Sequence, residues 1–326
     1  MSGKRVGWLW VFCALVAGAP GLQAQTTPKL ARVGVVSPGS PPPGPLESFR
    51  AGLRSFGYVE GRNLELQWRF ADGNNERLPG LIDELVRAKV DVMLVINTQA
   101  AQAAKKSAGK IPVVFARVSD PTRTGLVASL SRPGGNMTGI SNVADEIGAK
   151  RMETLKTLIP NLSKVAVLWN SGNPGVALIL RELERASPSL QVEVQGFGVG
   201  GQGDFPAAFA AVKAARPGAI FVLDDLLITS YRSQILLFAA EHKLPVMSLY
   251  EEFVANGGLV CYGPSIAGMY RRASWYVDRI LRGAKVGELP VEQPTEFELI
   301  INLKTAKALG LNVSGDMLTR ANKVFR

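Results

Sequence analysis

The sequence predicts an α/β protein with two similar lobes, each a parallel sheet with helices on both faces. Strands of near-continuous apolar character, such as 30–37 (LARVGVVS) and 164–169 (KVAVLW), alternate with segments whose apolar residues recur at helical spacing. Apolar strands in a βαβα order are typical of parallel sheets that are buried on both sides. The order begins at Leu30 and starts again after Asn142, so we expect two lobes of about equal size.

The first repeat contains five expected strands of different character. Segment 63–70 alternates apolar and polar residues, 137–141 is small and polar as suits a strand that crosses between lobes, and the other three are mostly apolar. The expected strands are 30–37, 63–70, 90–96, 111–116 and 137–141, and the expected helices are 46–56, 78–88, an alanine-rich segment that starts at 97–99, and 124–130.

The second repeat continues the same alternation. Its expected strands are 164–169, 190–194, 219–223 and 245–249, and its expected helices are 147–158, 176–186, 204–215 and 231–242. A strand at 258–262, a long helix at 266–281, a strand at 297–303 and a helix at 304–309 follow. Periodicity alone does not assign these last elements to either lobe.

The first 24 residues are typical of a secretory signal peptide. Lys4 and Arg5 precede an apolar run, 6–19, that is too short to span a bilayer comfortably, and Ala24 is a small residue at a suitable cleavage point. The alternative is a signal anchor that stays in place. A lipoprotein is disfavoured because the residues before Cys13 are bulky.

Composition and charge narrow the classes of function. Charged residues are 20% and apolar residues 47% of the chain, as in ordinary globular proteins. The net charge of +10 comes from scattered basic residues without a nucleic-acid-binding motif, so we expect no nucleic-acid partner. After cleavage, Cys261 and His242 are single residues of their types, so we expect neither a disulfide, nor a metal site, nor any cofactor.

Two motifs imitate sites that the rest of the sequence does not support. The glycines of 196–201 match a dinucleotide pattern, but the next helix begins only at Asp204, which favours a flexible surface loop. Gly263-Pro264-Ser265 has the form of a nucleophile elbow, but the single histidine precedes this serine, opposite to the order in such hydrolases. Without an acid–base or metal constellation, we predict that the protein is not an enzyme.

Polar side chains follow strand after strand in both repeats. One such residue alone is more often a turn former or a helix cap, but in parallel sheets these strand ends together line the ligand crevice. Thr98 and Gln99 start a helix that suits a carboxylate, and Asp120 or Asp224 suits a cationic amine. The predicted ligand-binding residues are Ser37, Asn97, Thr98, Gln99, Ser119, Asp120, Asn142, Asn170, Asn173, Asp224 and Tyr250.

Five blocks, spread between about Leu30 and Arg326, carry a family resemblance. They are 52–86 (GLRSFGYVEGRNLELQWRFADGNNERLPGLIDELV), 120–141 (DP-x3-GLVASLSRPGGNMTGIS), 165–175 (VAVLWNSGNPG), 257–265 (GGLVCYGPS) and 289–311 (LPVEQPTEFELIINLKTAKALGL). They resemble, in the same order, the ABC-transporter substrate-binding protein family that includes the tryptophan/tyrosine-type binding components. The resemblance implies a type I periplasmic-binding fold, with two Rossmann-like lobes, a ligand cleft between them and three hinge crossings near Ser141, Tyr262 and Gln293. It implies an N-terminal lobe of 29–141 with 263–292 and a C-terminal lobe of 142–262 with 293–326.

Three positions beside the expected cleft depart from the family pattern. Arg117 stands where an apolar residue is expected, Gln99 where a proline is common, and Asp225-Leu226-Leu227 where an Asp-Pro-aromatic run is usual. The resemblance therefore does not imply which ligand is bound. Arg117 would favour an acidic ligand if it points into the cleft and would be neutral if it points outward.

The resemblance implies a monomeric periplasmic substrate-binding component of an ABC importer. It would bind a small organic solute, an amino acid or a related carboxylate, and present it to an inner-membrane ABC permease. The alternative is a sensing module of the same fold that signals to a membrane kinase or chemoreceptor. In either case ligand stabilises a closed form, so we expect Asp120→Ala to weaken binding and Gly139→Val to disturb closure.

Overall fold

The structure is a computed structural model that describes Gly3 and residues 30–39, 43–142, 144–223, 225–249 and 251–326. Apart from Gly3, the predicted signal peptide, 1–24, lies outside the described residues, as do two predicted ligand-binding residues, Asp224 and Tyr250. In the part of the chain that is described, no helix combines the length and apolar character needed to cross a bilayer.

The first half of the chain forms a five-stranded parallel sheet in the order β2-β1-β3-β4-β5. Its strands are β1 (Ala31–Ser37), β2 (Leu64–Phe70), β3 (Val92–Ile96), β4 (Val113–Ser119) and β5 (Met137–Asn142). The helices between them are α1 (Pro43–Ser55), α2 (Leu78–Arg87) and α3 (Asn97–Ser107). We call this sheet, with the helices that pack on it, the N-lobe.

The second half forms a seven-stranded sheet in the order β12-β11-β10-β9-β8-β6-β7, in which only the β10–β11 pair is antiparallel among the described strands. The strands are β6 (Lys164–Asn170), β7 (Glu193–Val199), β8 (Ala219–Val222), β9 (Val246–Ser248), β10 (Val260–Pro264), β11 (Phe297–Asn302) and β12 (Lys323–Phe325). The helices are α4 (Ala144–Leu158), α5 (Pro174–Leu190), α6 (Phe205–Ala215), α7 (Leu226–Ser230), α8 (Arg232–Glu241), α9 (Glu251–Ala255), α10 (Ile266–Leu281), α11 (Leu303–Ala308) and α12 (Gly315–Arg320). Except for α10, we call this sheet and its helices the C-lobe.

Each sheet is covered on both faces by apolar side chains of helices, as the apolar strands predict. Helix α10 returns to the N-lobe, where Met269, Tyr270 and Tyr276 are buried against β1, β3 and the α1 residues Phe49 and Leu53. Burial of an aromatic or large aliphatic side chain contributes roughly 1.5–3 kcal/mol. This apolar face therefore attaches α10 to a sheet whose strands lie more than a hundred residues earlier in the chain.

The chain passes between the two sheets three times: after β5, after β10 and before β11. At the third passage, Glu292 pairs with Ile140 in an isolated parallel bridge. The backbone N–H of Ser141 donates to the carbonyl of Glu292 at 2.9 Å, and the N–H of Glu292 donates to the carbonyl of Gly139 at 3.0 Å. Two of the connecting segments are thus hydrogen-bonded to each other where they leave the N-lobe.

Two local predictions were wrong. Segment 124–130 is not a helix but a series of turns, because the carbonyl of Pro121 accepts from the N–H groups of both Leu126 and Val127, at 2.8 and 3.1 Å. The stretch 196–201 is not a surface loop over its whole length, because β7 runs to Val199 and pairs with β6 residue by residue. Pairing with a neighbouring strand supplies hydrogen bonds that glycine-rich composition does not reveal.

Candidate functional site

The predicted residues that the structure describes lie at the carboxyl ends of strands of both lobes. Ser37, Ser119, Asn142 and Asn170 are the last residues of β1, β4, β5 and β6. Asn97, Thr98 and Gln99 open α3, and Asn173 caps α5. All of these side chains are buried, and Asp120, directly after β4, keeps 18% of its side chain exposed.

Gln99 joins the two lobes directly. Its Nε2 donates to the backbone carbonyl of Gly172, in the loop after β6, at 2.8 Å. Asn97 holds Gln99 in turn, since Asn97 Nδ2 donates to Gln99 Oε1 at 3.3 Å, while Asn97 Oδ1 accepts from the N–H of Ala100 at 3.1 Å. Asn97 and Gln99 therefore bring the start of α3 against the C-lobe.

Thr98 and Ser119 form a second contact between the lobes. The N–H of Ser119 donates to Thr98 Oγ1 at 3.2 Å, and the pair packs against Gly175 in the first turn of α5. A Cβ at Gly175 would lie 2.5 Å from Thr98 Oγ1 and 2.9 Å from Ser119 Cβ. Only a residue without a side chain allows the two lobes to approach this closely.

Asp225 is the centre of a buried polar cluster in the C-lobe. Asn170 Nδ2 donates to its Oδ1 at 2.9 Å, Asn173 Nδ2 donates to its Oδ2 at 2.8 Å, and the N–H of Leu227 donates to its Oδ1 at 2.7 Å. Burial raises the pKa of the Asp225 carboxyl, and these three donors together with the charge of Arg117 act in the opposite direction. Arg117 belongs to β4 and Asp225 to the start of α7, so opposite charges from the two lobes interact at their boundary.

The backbone is strained at three points of this boundary. Asn97, Arg117 and Asp120 have positive φ angles of 76°, 60° and 32°, which residues other than glycine rarely adopt. Arg117 stands at an irregularity in the β4–β5 pairing, between Ala116 and Val118, and is 4% exposed. Such strain persists where the surrounding structure imposes it, and it clusters at functional sites.

Asp120 is engaged by its own turn. Its Oδ1 accepts from Thr122 Oγ1 at 2.7 Å and from the N–H of Arg123 at 2.8 Å. Arg123 Nη1 lies 3.4 Å from Glu182 Oε1 on α5, so an ion pair between the lobes stands at the edge of the cluster. Asp120 therefore orders the turn that carries Arg123.

Ser37, at the end of β1, is another buried member of the set. Its hydroxyl is fully buried and has no hydrogen-bond partner among the described residues. A buried hydroxyl without a partner costs roughly 1–3 kcal/mol, so a hydrogen bond to a bound molecule would remove that cost.

Several residues at this boundary were not among the predicted ligand contacts. Asp225, which accepts from Asn170 and Asn173, is one of them. Leu226 packs among the N-lobe core residues although it belongs to α7. Gly172 and Gly175 lie in the family block 165–175, and nothing local indicates that they meet the other lobe.

The rejected enzyme motifs have structural roles. Ser265 caps α10, its Oγ accepting from the N–H of Gly268 at 3.2 Å. His242 Nδ1 lies 2.9 Å from the carbonyl of Phe238. Burial raises the pKa of the Cys261 thiol to about 12, and its Sγ donates to the carbonyl of Leu249. Within the described residues, no group of three or more His, Cys, Asp or Glu is arranged to hold a metal ion.

Comparisons with known proteins agree with this architecture. The model of the family described as ABC transporter substrate binding protein matches residues 46–325. A tyrosine-binding protein of Clostridioides difficile is 29% identical over 265 residues, which are 81% of this chain and 76% of that protein. A conserved domain protein of Vibrio cholerae is 27% identical, with a TM-score of 0.85 over 91% of this chain and all of that one. An ABC domain of Streptococcus pneumoniae in complex with L-Trp is 25% identical, with a TM-score of 0.84 over 90% of this chain and 99% of that one.

These likenesses define the class of protein as two-lobed binding proteins of the type I periplasmic-binding fold. The chain belongs to the ABC transporter substrate-binding protein family, because the family model covers most of its length. The prediction that the chain is not an enzyme agrees with its membership of a family of substrate-binding proteins.

Proposed function

We propose that this chain is the periplasmic substrate-binding component of an ABC importer. It binds a small organic solute, an amino acid or a related carboxylate, between the N-lobe and the C-lobe and presents it to an inner-membrane permease. One observation carries the proposal: buried polar residues from the strand ends of both lobes meet at one boundary. Relatives that bind tyrosine and L-tryptophan support the solute class.

The lobes that close on the ligand are 29–141 with 263–292 and 142–262 with 293–326. The three passages of the chain between the sheets support this division, and rotation about them opens and closes the cleft. Export by a signal peptide cleaved after Ala24 is part of the same proposal. N-terminal sequencing of the exported protein tests it, and a mature N-terminus still containing Lys4 would contradict it.

Arg117 is the candidate anchor for a ligand carboxylate. It is buried at the boundary, and guanidinium groups bind carboxylates through charge-assisted hydrogen bonds. The Asp225 carboxylate already accepts from Asn170, Asn173 and Leu227, so we assign it to the support of the loop after β6 rather than to a ligand amine. Ser37 is the candidate for a neutral hydrogen bond.

A thermal-shift screen of amino acids and carboxylates tests the proposal. A ligand at 100 times its dissociation constant stabilises the folded protein by about 2.7 kcal/mol, so a true ligand raises the melting temperature. If no member of a broad library raises it, uptake of such solutes is contradicted. The ligand identified by this screen is then used to measure binding by the variants described next.

Two variants separate the binding roles from folding. Ser37→Ala removes a hydroxyl with no described partner, so it should leave the unliganded melting temperature unchanged or higher while weakening ligand binding. Ser48→Ala is the matched control and should change neither quantity, because Ser48 lies on α1 and its hydroxyl bonds, among the described residues, to Gly44 of its own helix. Arg117→Met should weaken binding of carboxylates more than that of their amides. Equal loss for acid and amide would contradict its assignment as the carboxylate anchor.

A further inference from the structure

A cavity lies on the N-lobe, away from the polar residues at the boundary between the lobes. We call those residues the boundary cluster: Asn97, Thr98, Gln99, Arg117, Ser119, Asn170, Asn173 and Asp225. The cavity has a volume of about 570 Å³, and its walls are the end of α1, the first half of α10 and the segment 292–296. None of the predicted ligand-binding residues lines it. Small-molecule sites are typically clefts of roughly 300–1,000 Å³, so this one has room for a metabolite.

An ordered aromatic side chain lies in one wall of the cavity. Trp275 carries the guanidinium of Arg272 over its ring, 3.8 Å from the ring centre, and meets Tyr276 edge-on at 5.0 Å. Arg272 in turn donates two hydrogen bonds to Glu292, at 2.7 and 2.6 Å. The charges of Arg272 and Glu292 therefore offset each other, and the Trp275 ring is held in place as an apolar surface, joined by Phe56 and Met269.

Two further charged residues of opposite sign line the same cavity. Among the described residues, the side chains of Arg271 and Glu296 make neither a hydrogen bond nor an ion pair, with each other or with any neighbour. One cation and one anion that both lack partners, beside an ordered indole ring, match a molecule that carries both charges and an apolar body. A carboxylate would bind Arg271 and an ammonium group would bind Glu296.

We infer that this cavity is a second binding site, for a small zwitterion with an apolar side chain. The inference does not depend on what the boundary cluster binds. Because Glu292 bonds to the Gly139–Ser141 backbone and 292–296 leads into the C-lobe, the site touches two passages between the lobes. Occupancy is thus linked to the closing equilibrium, and any such coupling is reciprocal.

The test uses L-phenylalanine as the probe. Its binding to the full mature protein is measured by titration calorimetry. Arg271→Gln and Glu296→Gln should each weaken binding roughly tenfold or more, since hydrogen bonds to charged groups are the stronger ones. Arg282→Gln, an exposed cation directly after the same helix that bonds to Asp278 and does not line the cavity, is the matched control and should leave binding unchanged. Phenethylamine and 3-phenylpropionate, which each lack one charge, should bind at least tenfold more weakly than the zwitterion.

The outcomes separate this site from the boundary cluster. Saturable binding that is lost in Arg271→Gln and Glu296→Gln but kept in Arg117→Met supports the second site. Binding lost only in Arg117→Met overturns the inference and leaves the proposed function intact. Absence of saturable binding in the unmodified protein, or equal binding of the three probes, also overturns it.

Discussion

The contact at Gly175 leads to a direct prediction about lobe closure. Gly175→Ala places a methyl group 2.5 Å from Thr98 Oγ1 and 2.9 Å from Ser119 Cβ, well inside van der Waals contact across the lobes. Overpacking of this kind costs roughly 1–3 kcal/mol. At about 1.4 kcal/mol for a factor of ten, the closed form should become about 5- to 150-fold less populated relative to the open form.

The same substitution should not damage the C-lobe itself. Gly175 lies in the first turn of α5, where alanine is favoured over glycine by up to about 1 kcal/mol in the open and closed forms alike. The melting temperature of the unliganded protein should therefore stay the same or rise. The apparent dissociation constant should increase by the same factor by which the closed population falls, because only the closed form binds with full affinity.

Gly80→Ala is the matched control for this experiment. Gly80 also follows a proline in the first turn of a helix, α2, but nothing lies within 4 Å of a Cβ placed there. Small-angle scattering with and without ligand measures closure, and calorimetry measures affinity. If Gly175→Ala compacts on ligand addition as fully as Gly80→Ala, with the same affinity, α5 does not approach Thr98 and Ser119 in solution.

Three further predictions concern other parts of the boundary. Gly139→Ala should lower the free energy of unfolding, measured in urea, by ~3 kcal/mol or more. Gly139 has a φ angle of +149°, and a Cβ at this position would overlap the backbone of Phe115. An effect on closure alone, as the sequence analysis predicts for Gly139→Val, would contradict this. Glu182→Gln removes the ion pair with Arg123, whose two side chains are partly exposed. It should weaken ligand binding by less than about fivefold, and only at low salt, because salt screens exposed charges. A loss of binding that does not depend on salt would argue against an interlobe ion pair. Burial raises the pKa of the Asp225 carboxyl above 3.8. The protonated carboxyl therefore stabilises the folded protein most below pH 3.8, and this contribution is lost as the pH rises through the raised pKa. Asp225→Asn should flatten this part of the pH dependence of the free energy of unfolding, and an unchanged pH profile would contradict the prediction.

The fold was predictable from the sequence because its determinants are periodic. Strands such as Val92–Ile96, buried on both faces, consist of apolar residues only, and helices such as Leu78–Arg87 bury one face. Helix α10 also has a clear apolar face, but periodicity does not indicate which of the two sheets that face packs against. Its location became an expectation only through the family resemblance.

That the candidate residues lie at strand ends was predictable from the sequence, but their contacts were not. The ends of parallel strands meet at one edge of each sheet, so residues such as Asn170 were expected near the cleft. The place of Asp225 at the centre of the cluster depends on how the chain turns after β8, which periodicity does not encode. The roles of Thr98 and Ser119 depend on the distance between the lobes, and no local pattern determines that distance.

The direct contacts between the lobes have a consequence for how ligand acts. Gln99 bonds to Gly172, Arg123 pairs with Glu182, and Gly175 packs on Thr98, all through protein atoms alone. Each stabilises the closed form independently of ligand, so the solute need supply only the remaining free energy of closure. A small ligand with few polar groups can then shift the equilibrium, because a population shift requires only the difference in its affinity for the two forms. Ser37 and Arg117 lie near the carboxyl ends of β1 and β4, at the same sheet edge as Thr98 and Gln99. A solute bound there would complete a boundary that protein atoms have already largely formed.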